Sequence, residues 1–540
     1  MGRGEDRIVE FLYRAGNWVV CFVGSAIFLG LAGFSSVYTY DIKRGIEIPV
    51  IQYDSEIANL AALILAMGLL AVLMKFEKRI GEKGRLIIRR VTLALALMWI
   101  FAAGLRWLIF TSREPWGDQQ SVYMGASWFM EGDYHLLEPG EYCNLYPHQL
   151  GLIVVFEFLY LFVGAGNYRA YEAVCLILAV GSVYCGYRIL LKMTDRLAVI
   201  VGYNIFICGC LPLIFYTSWV YGEIPSIFFS LLSGWMMLSY AKEKKNRYLV
   251  ILVIALVMAI LVRRNSLILL AAVGMVVFLY GLRYKDRKLF AAFLAALVCS
   301  SASFGLIYKM YEVRSGYEHS GGIPIVTWLA MGLQESNTER YIWYGGYPVY
   351  GWYNGYTYDT YKDTGYDTEK TAALSKESIQ ERLKIFREDP AYTIMFFKEK
   401  ILSQWIEPLY ESIHFNWVKS EKDPLVAGVG DEHYAEVLAM SDRWQFIVYA
   451  GMLCYFFCAV KKDSDLLRHV LPITIIGAFI YHALFEAKGR YAFPYYVMMY
   501  PYALYGYEAA IVQAGKAADR LRRFRRNRET AAPSFQNKAS

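Results

Sequence analysis

The chain has 540 residues, of which 57% are hydrophobic and 19% charged, with a mean hydropathy of +0.30 and a formal net charge of +7. Apolar runs of about 20 residues, the length that spans a bilayer as a helix, recur along it and exclude a soluble globular class. The positive balance does not point to nucleic acid, because the basic residues gather in short loops beside apolar runs, where membrane topology and anionic headgroups account for them.

Arg3, Arg7 and Arg14 precede the first long apolar run. The pattern is that of a signal peptide, but the run is long and further spans follow, so it reads as a retained anchor. The loop from 75 to 90 carries Lys75, Lys78, Arg79, Lys83, Arg85, Arg89 and Arg90, an excess that marks the cytoplasmic side. Residues 91–110 then cross outward and deliver Asp118, in Trp116-Gly117-Asp118-Gln119-Gln120, to the outer interface. Charge beside hydrocarbon is costly and is usually retained for function.

These signals predict an all-α polytopic membrane protein with about twelve helices and both termini in the cytoplasm. Spans are expected near 17–38, 57–74, 91–110, 170–188, 197–216, 224–241, 248–262, 266–282, 289–308, 443–460, 468–485 and 491–513. The basic loops at 242–247, 283–288 and 461–468 then all fall on the cytoplasmic side. The short apolar segment 149–164, which contains Glu157, is expected not to cross; it reads as a re-entrant or interfacial helix of the first external loop.

The organisation is therefore 1–87, N-terminal helices and basic loop; 88–308, a transmembrane core with its first external loop at 111–165; 309–441, an external module; 442–514, the last helices; and 515–540, a basic tail. Eight of the nine cysteines fall inside expected helices and only Cys143 in an external loop, so neither a disulfide framework nor a cysteine zinc site is expected. Between 341 and 366 the external module holds nine tyrosines among glycines. Tyrosine offers a ring face and a hydroxyl together, which suits sugars or amphipathic ligands, and equally a loop packed at the membrane interface. Residues 376–405 read as an amphipathic helix on the outer leaflet, broken at Pro390.

Four polar clusters are expected at the outer ends of spans: Asp118; Tyr221-Gly222-Glu223; Arg263-Arg264-Asn265; and Glu486-Ala487-Lys488-Gly489-Arg490-Tyr491. Guanidinium groups bind phosphate through paired charge-assisted hydrogen bonds, and snorkelling arginines at a short turn would give the same pattern. No glycine-rich phosphate loop is present.

The first loop, with Asp118, then Phe129-Met130-Glu131-Gly132-Asp133-Tyr134 and Tyr146-Pro147-His148-Gln149-Leu150, resembles that of polyprenyl-phosphate-dependent membrane glycosyltransferases. These form the GT-C superfamily, and the likeness is to its protein mannosyltransferase and aminoarabinose transferase group (family 39-like). The Arg263-Arg264-Asn265 break and the Glu486–Tyr491 segment resemble the family's basic turn and late Glu-x-x-x-Arg-Tyr segment. The resemblance runs from about 88 to 513. Gln119 departs from it where an acidic residue often follows the aspartate, and Pro147-His148 replaces a Pro-Pro pair.

The resemblance implies an inverting transfer of a sugar from a polyprenyl-phosphate donor to an acceptor hydroxyl at the outer face. Asp118 would be general base; Arg263, Arg264, Asn265, Lys488 and Arg490 would hold the donor phosphate. Glu223 and Glu486 are supporting carboxylates and candidates for a divalent metal; Glu223 could also hold an arginine. Tyr146, His148, Tyr221, Trp352, Tyr353, Asn354 and Tyr491 are candidate sugar or acceptor contacts. The competing readings are a lipid-linked saccharide transporter, which would place polar groups in mid-membrane, a glycan polymerase or ligase using lipid diphosphates, and a noncatalytic envelope protein.

Overall fold

The computed structural model describes residues 3–43, 48–111, 114–319, 321–336, 349–413, 423–461 and 464–531. Among these, eight helices are long and apolar enough to cross a membrane: Arg7–Ser35, Glu56–Arg79, Glu82–Phe110, Tyr168–Met193, Glu223–Glu243, Arg264–Tyr284, Arg287–Ser315 and Leu466–Leu484; the number reaches ten if each of two bent pairs is one span. The chain is a polytopic helical membrane protein. The other expected spans also lie on helices: the pair Leu197–Gly209 and Leu211–Ser218, bent by 58°, the 17-residue Asn246–Val262, then Tyr434–Cys454 and Gly489–Ala531.

Helix boundaries follow local chemistry. Ser55, Asn167 and Asp286 cap the helices that begin at Glu56, Tyr168 and Arg287, each side chain accepting a backbone N–H of the first turn, a contact worth about 1 kcal/mol. The helix expected across 376–405 is two helices, Thr368–Glu388 and Pro390–Trp405, with Asp389 capping the second and Pro390 in its first turn. Proline lacks an N–H, and the first turn needs none there. The last helix runs for 43 residues through the segment expected as a basic tail. An antiparallel hairpin, Tyr38–Lys43 with Ile48–Tyr53, joins the first two long helices in the register Tyr38 to Tyr53 and Lys43 to Ile48.

Ion pairs sort the helix ends into two sets. At one end Arg196 reaches Glu77 at 3.1 Å and Glu508 at 3.2 Å, Lys192 reaches Glu243 at 3.1 Å, Lys244 reaches Asp286 at 3.0 Å and Arg283 reaches Glu10 at 3.2 Å. At the other, Arg106 grips Asp423, Arg169 pairs with Glu172, and Arg314 binds Glu157 at 3.0 Å and the Phe129 carbonyl at 2.8 Å. The second end also holds Asp118, Glu223, Arg263 and Arg490.

The segment expected not to cross forms the helix Leu150–Val163, bent by 104° from the preceding helical stretch. Its 14 residues fall short of the roughly 20 needed to span. Both its ends lie at the Asp118 end of the bundle: Gln149 donates to the Tyr221 hydroxyl, and beyond Val163 the ring of Tyr168 packs on Tyr123 while Arg169 donates to the Leu108 carbonyl at 3.1 Å. Glu157, odd in an apolar run, is the partner of Arg314.

A close seam lies between Tyr434–Cys454 and Gly489–Ala531, where Gly451, Ala503 and Gly506 let the backbones meet. Small residues do this in membranes, where packing replaces the hydrophobic drive. A Cβ at 506 would collide with the Gly451 carbonyl and the Tyr455 backbone. Gly506→Ala should therefore destabilise the bundle by about 1–3 kcal/mol, seen as a lower thermal midpoint in detergent; an unchanged midpoint would show that the seam can open at no cost.

Candidate functional site

The four clusters expected at span ends meet at one end of the bundle. Asp118 is the first residue of the helix Asp118–Glu131, after Gly117, whose φ of +61° lets the chain turn sharply into it. A carboxylate in a first helical turn is favoured by the helix dipole. Asp118 Oδ2 lies 3.4 Å from Arg490 Nη2, with the aspartate side chain 43% exposed and the arginine 10%. Asp118 is thus the open partner and Arg490 the buried one, its guanidinium 5.7 Å from the Trp219 ring and 5.3 Å from the Tyr491 ring.

Gln119, the departure from the expected acidic residue, is buried and accepts the Val220 N–H at 2.8 Å through its amide oxygen. It ties the Asp118 helix to the Trp219–Glu223 turn, a task a carboxylate could share only by burying a charge. Tyr221 lies in that turn; its hydroxyl is 2.9 Å from the Tyr142 hydroxyl and accepts from Gln149, and its carbonyl accepts from Tyr171 at 2.7 Å. Tyr146 sits within electrostatic reach of Tyr353, Asp118, Glu486 and Tyr221, and burial pushes its phenol well above the ordinary range. Burial and the Arg264 guanidinium push His148 down to about 4, so its ring is neutral near pH 7 and accepts at one nitrogen.

The two arginines of the 263–264 turn have separate fates. Arg263 is buried and ion-paired through Nη1 to Glu223, itself buried. That pair ties Arg263 to the fold through Nη1, with Glu223 as the carboxylate that holds an arginine. Arg264 is exposed, stacked 5.0 Å over the Phe304 ring, and close to His148 and Tyr308. Asn265 lies half-buried in the same short 3₁₀ turn.

Glu486, Lys488 and Arg490 are all buried at the break between Val470–Leu484 and Gly489–Ala531. Glu486 accepts the Tyr491 hydroxyl at 3.1 Å. Burial pushes the Glu486 carboxyl above its usual range, against the pull of Lys488, Arg490 and the Tyr491 hydroxyl.

Trp352 and Asn354 are not at an open surface, which corrects their expected role as sugar contacts. Trp352 is 1% exposed, donates to Ser403 at 3.0 Å and packs against Ile42, Ile48 and Ala487. Asn354 is buried and donates to Gln334 at 3.0 Å and to the Glu335 carbonyl at 3.2 Å. Tyr353 between them is half-buried and faces Tyr146. The Trp343-to-Tyr347 part of the tyrosine-rich segment lies outside the described residues.

The structure also brings in residues that the sequence reading passed over. Glu407 and Glu411, both buried, lie against Gly489. Lys400, buried, donates to the Gly332 carbonyl and to the Leu484 carbonyl at 3.1 Å, closing the C-terminus of Val470–Leu484 just before Glu486. A charged residue stands out in an apolar run; in a polar region these carry no such contrast, and only the four-residue spacing of Glu407 and Glu411 around Pro408 marks them. Among the described residues no group of three or more His, Cys, Asp or Glu side chains is placed to hold a metal ion.

Two outcomes follow from these environments. Arg263→Leu strands the buried Glu223 charge and should cost about 3–5 kcal/mol, largely restored in the Arg263→Leu/Glu223→Leu double variant, whereas Arg264→Ala should leave the unfolding midpoint unchanged; equal loss at both arginines would reject the division of roles. For Glu486 the raised folded-state value means its contribution is fully present at low pH and is withdrawn as pH rises from its ordinary 4.5 through the folded value. Glu486→Gln, which keeps an acceptor for Tyr491, should lack that decline in a midpoint-against-pH series. Compared with models of known protein families and with curated proteins, the chain matches none.

Proposed function

We propose that the protein is an inverting membrane glycosyltransferase of GT-C type that moves a sugar from a polyprenyl phosphate to an acceptor hydroxyl. The observation that carries this reading is the half-exposed Asp118 carboxylate set 3.4 Å from the buried Arg490, at the same end of the bundle as the exposed Arg264. A base and phosphate-binding cations at one helix-end surface match a donor whose phosphate sits at headgroup depth and whose tail lies among the helices. In this reading each of the twelve helical segments is a crossing, both termini are cytoplasmic, and the Asp118 end faces outward. The basic loop 75–90 stands at the opposite end, beside Glu77 and Arg196, as the positive-inside trend requires.

The acceptor oxygen bonds to the anomeric carbon as its proton passes to Asp118, and the bond from that carbon to the phosphate oxygen breaks on the opposite face. The electron pair leaves with the phosphate, where Arg264, Lys488 and Arg490 meet its charge; preorganised donors of this kind contribute several kcal/mol. A phosphate arriving at Arg490 draws the guanidinium from Asp118 and frees the carboxylate to take the proton. Tyr146, Tyr221, Tyr353 and Tyr491 lie around Asp118 and Glu486, where their ring faces and hydroxyls would suit a sugar. The acceptor is a glycan, lipid or protein of the cell envelope. A transporter gains no support from Asn204, whose amide donates to the Thr92 hydroxyl at 3.0 Å.

Asp118→Asn should reduce sugar transfer by about 10²-fold or more while donor binding stays intact, measured with radiolabelled polyprenyl-phosphate sugar in membranes. Arg264→Ala should raise the donor KM more than it lowers kcat. Full transfer by the Asp118→Asn protein would reject the base, and envelope glycans that are identical by mass spectrometry with and without the chain would reject the reaction class.

A further inference from the structure

The turn after Trp405 has a backbone that its sequence does not favour. Tyr410 and Glu411 both adopt positive φ, 51° and 62°, a region in which a side chain is strained and which persists only where the surroundings impose it. They are imposed by Glu407, buried, whose carboxylate accepts the Leu409 N–H at 2.9 Å and the Glu411 N–H at 2.6 Å, and by Tyr216, whose hydroxyl donates to the Tyr410 carbonyl. The strained shape aims the buried Glu411 carboxylate at the start of the last helix, where Oε1 accepts the Arg490 N–H at 3.3 Å.

A side chain at residue 489 would crowd that approach. A Cβ there would stand 3.0 Å from Glu407 Oε2 and 3.4 Å from Glu411 Oε1. An ordinary helix cap is a local Ser, Thr, Asp or Asn; here the acceptor comes from 79 residues away. The residue so gripped is the one whose guanidinium reaches Asp118.

We propose that Glu411, braced by Glu407, is a positioning residue for Arg490. It fixes the first turn of the last helix, so that the guanidinium is set against Asp118 and toward a bound phosphate. The phosphate half of this statement rests on the function proposed above; the positioning half does not.

The test uses the full-length protein in lipid nanodiscs. The coupling between Asp118 and Arg490 is measured by thermal unfolding of Asp118→Asn, Arg490→Gln and the double variant, first in the wild-type background and then with Glu411→Gln. The coupling should fall to less than about half with Glu411→Gln, and Gly489→Ala, which crowds the same carboxylates, should lower it too. An unchanged coupling in folded Glu411→Gln protein overturns the proposal; should that variant not fold, Glu411→Asp and Gly489→Ala decide it in the same way. In a second arm, long-chain polyprenyl phosphate and the corresponding polyprenol are compared as ligands. Glu411→Gln should weaken the phosphate about fivefold and leave the alcohol unchanged, and its effect should not add to that of Arg490→Gln. Additive losses count against positioning. A wild-type protein that binds both lipids equally would overturn the polyprenyl-phosphate reading, and the unfolding cycle would then decide the positioning role alone.

Discussion

Buried charge must be compensated where it lies, and in this bundle compensation happens at the helix ends. Taking an ion out of water costs several kcal/mol unless an opposite charge or hydrogen bonds meet it. Glu223 with Arg263, Glu157 with Arg314, and Glu77 with Arg196 are such meetings, the last two joining elements more than a hundred residues apart. These pairs fix which ends lie together, and so place Asp118 beside Arg490 although 372 residues separate them.

Within that frame the site divides its charges between holding and presenting. Arg263 is spent on Glu223, and Lys400 on two backbone carbonyls. Arg264 and Asp118 remain accessible, and Arg490 stands between the two classes, buried and in contact with Asp118 through Nη2. Rigid support behind an accessible pair is what preorganised electrostatics needs, because donors already in place pay no reorganisation when charge develops. The strained Tyr410–Glu411 backbone belongs to this support, held by Glu407 and Tyr216.

Much of the fold was legible in order along the chain. Apolar length located the helices, and the shortness of 149–164 matched a helix of 14 residues bent away from the stretch before it. Pro390 marked a break that Asp389 then caps. The aromatic, glycine-rich stretch was legible as composition but misleading as chemistry: Trp352 and Asn354 look like ligand contacts and serve as wedges behind Ala487 and Gln334. The hairpin 38–53 gave no periodic signal long enough to register.

The amino-acid sequence by itself determined the class of molecule and the helices, because hydrocarbon thickness acts residue by residue along a single chain. Only the tertiary structure decided which of two adjacent arginines is free, that Gln119 is a strut, and that Glu407 and Glu411 stand behind Arg490. Those outcomes depend on which distant group lies within about 3–4 Å, and pairing across hundreds of residues is set by packing of the whole bundle rather than by any local pattern.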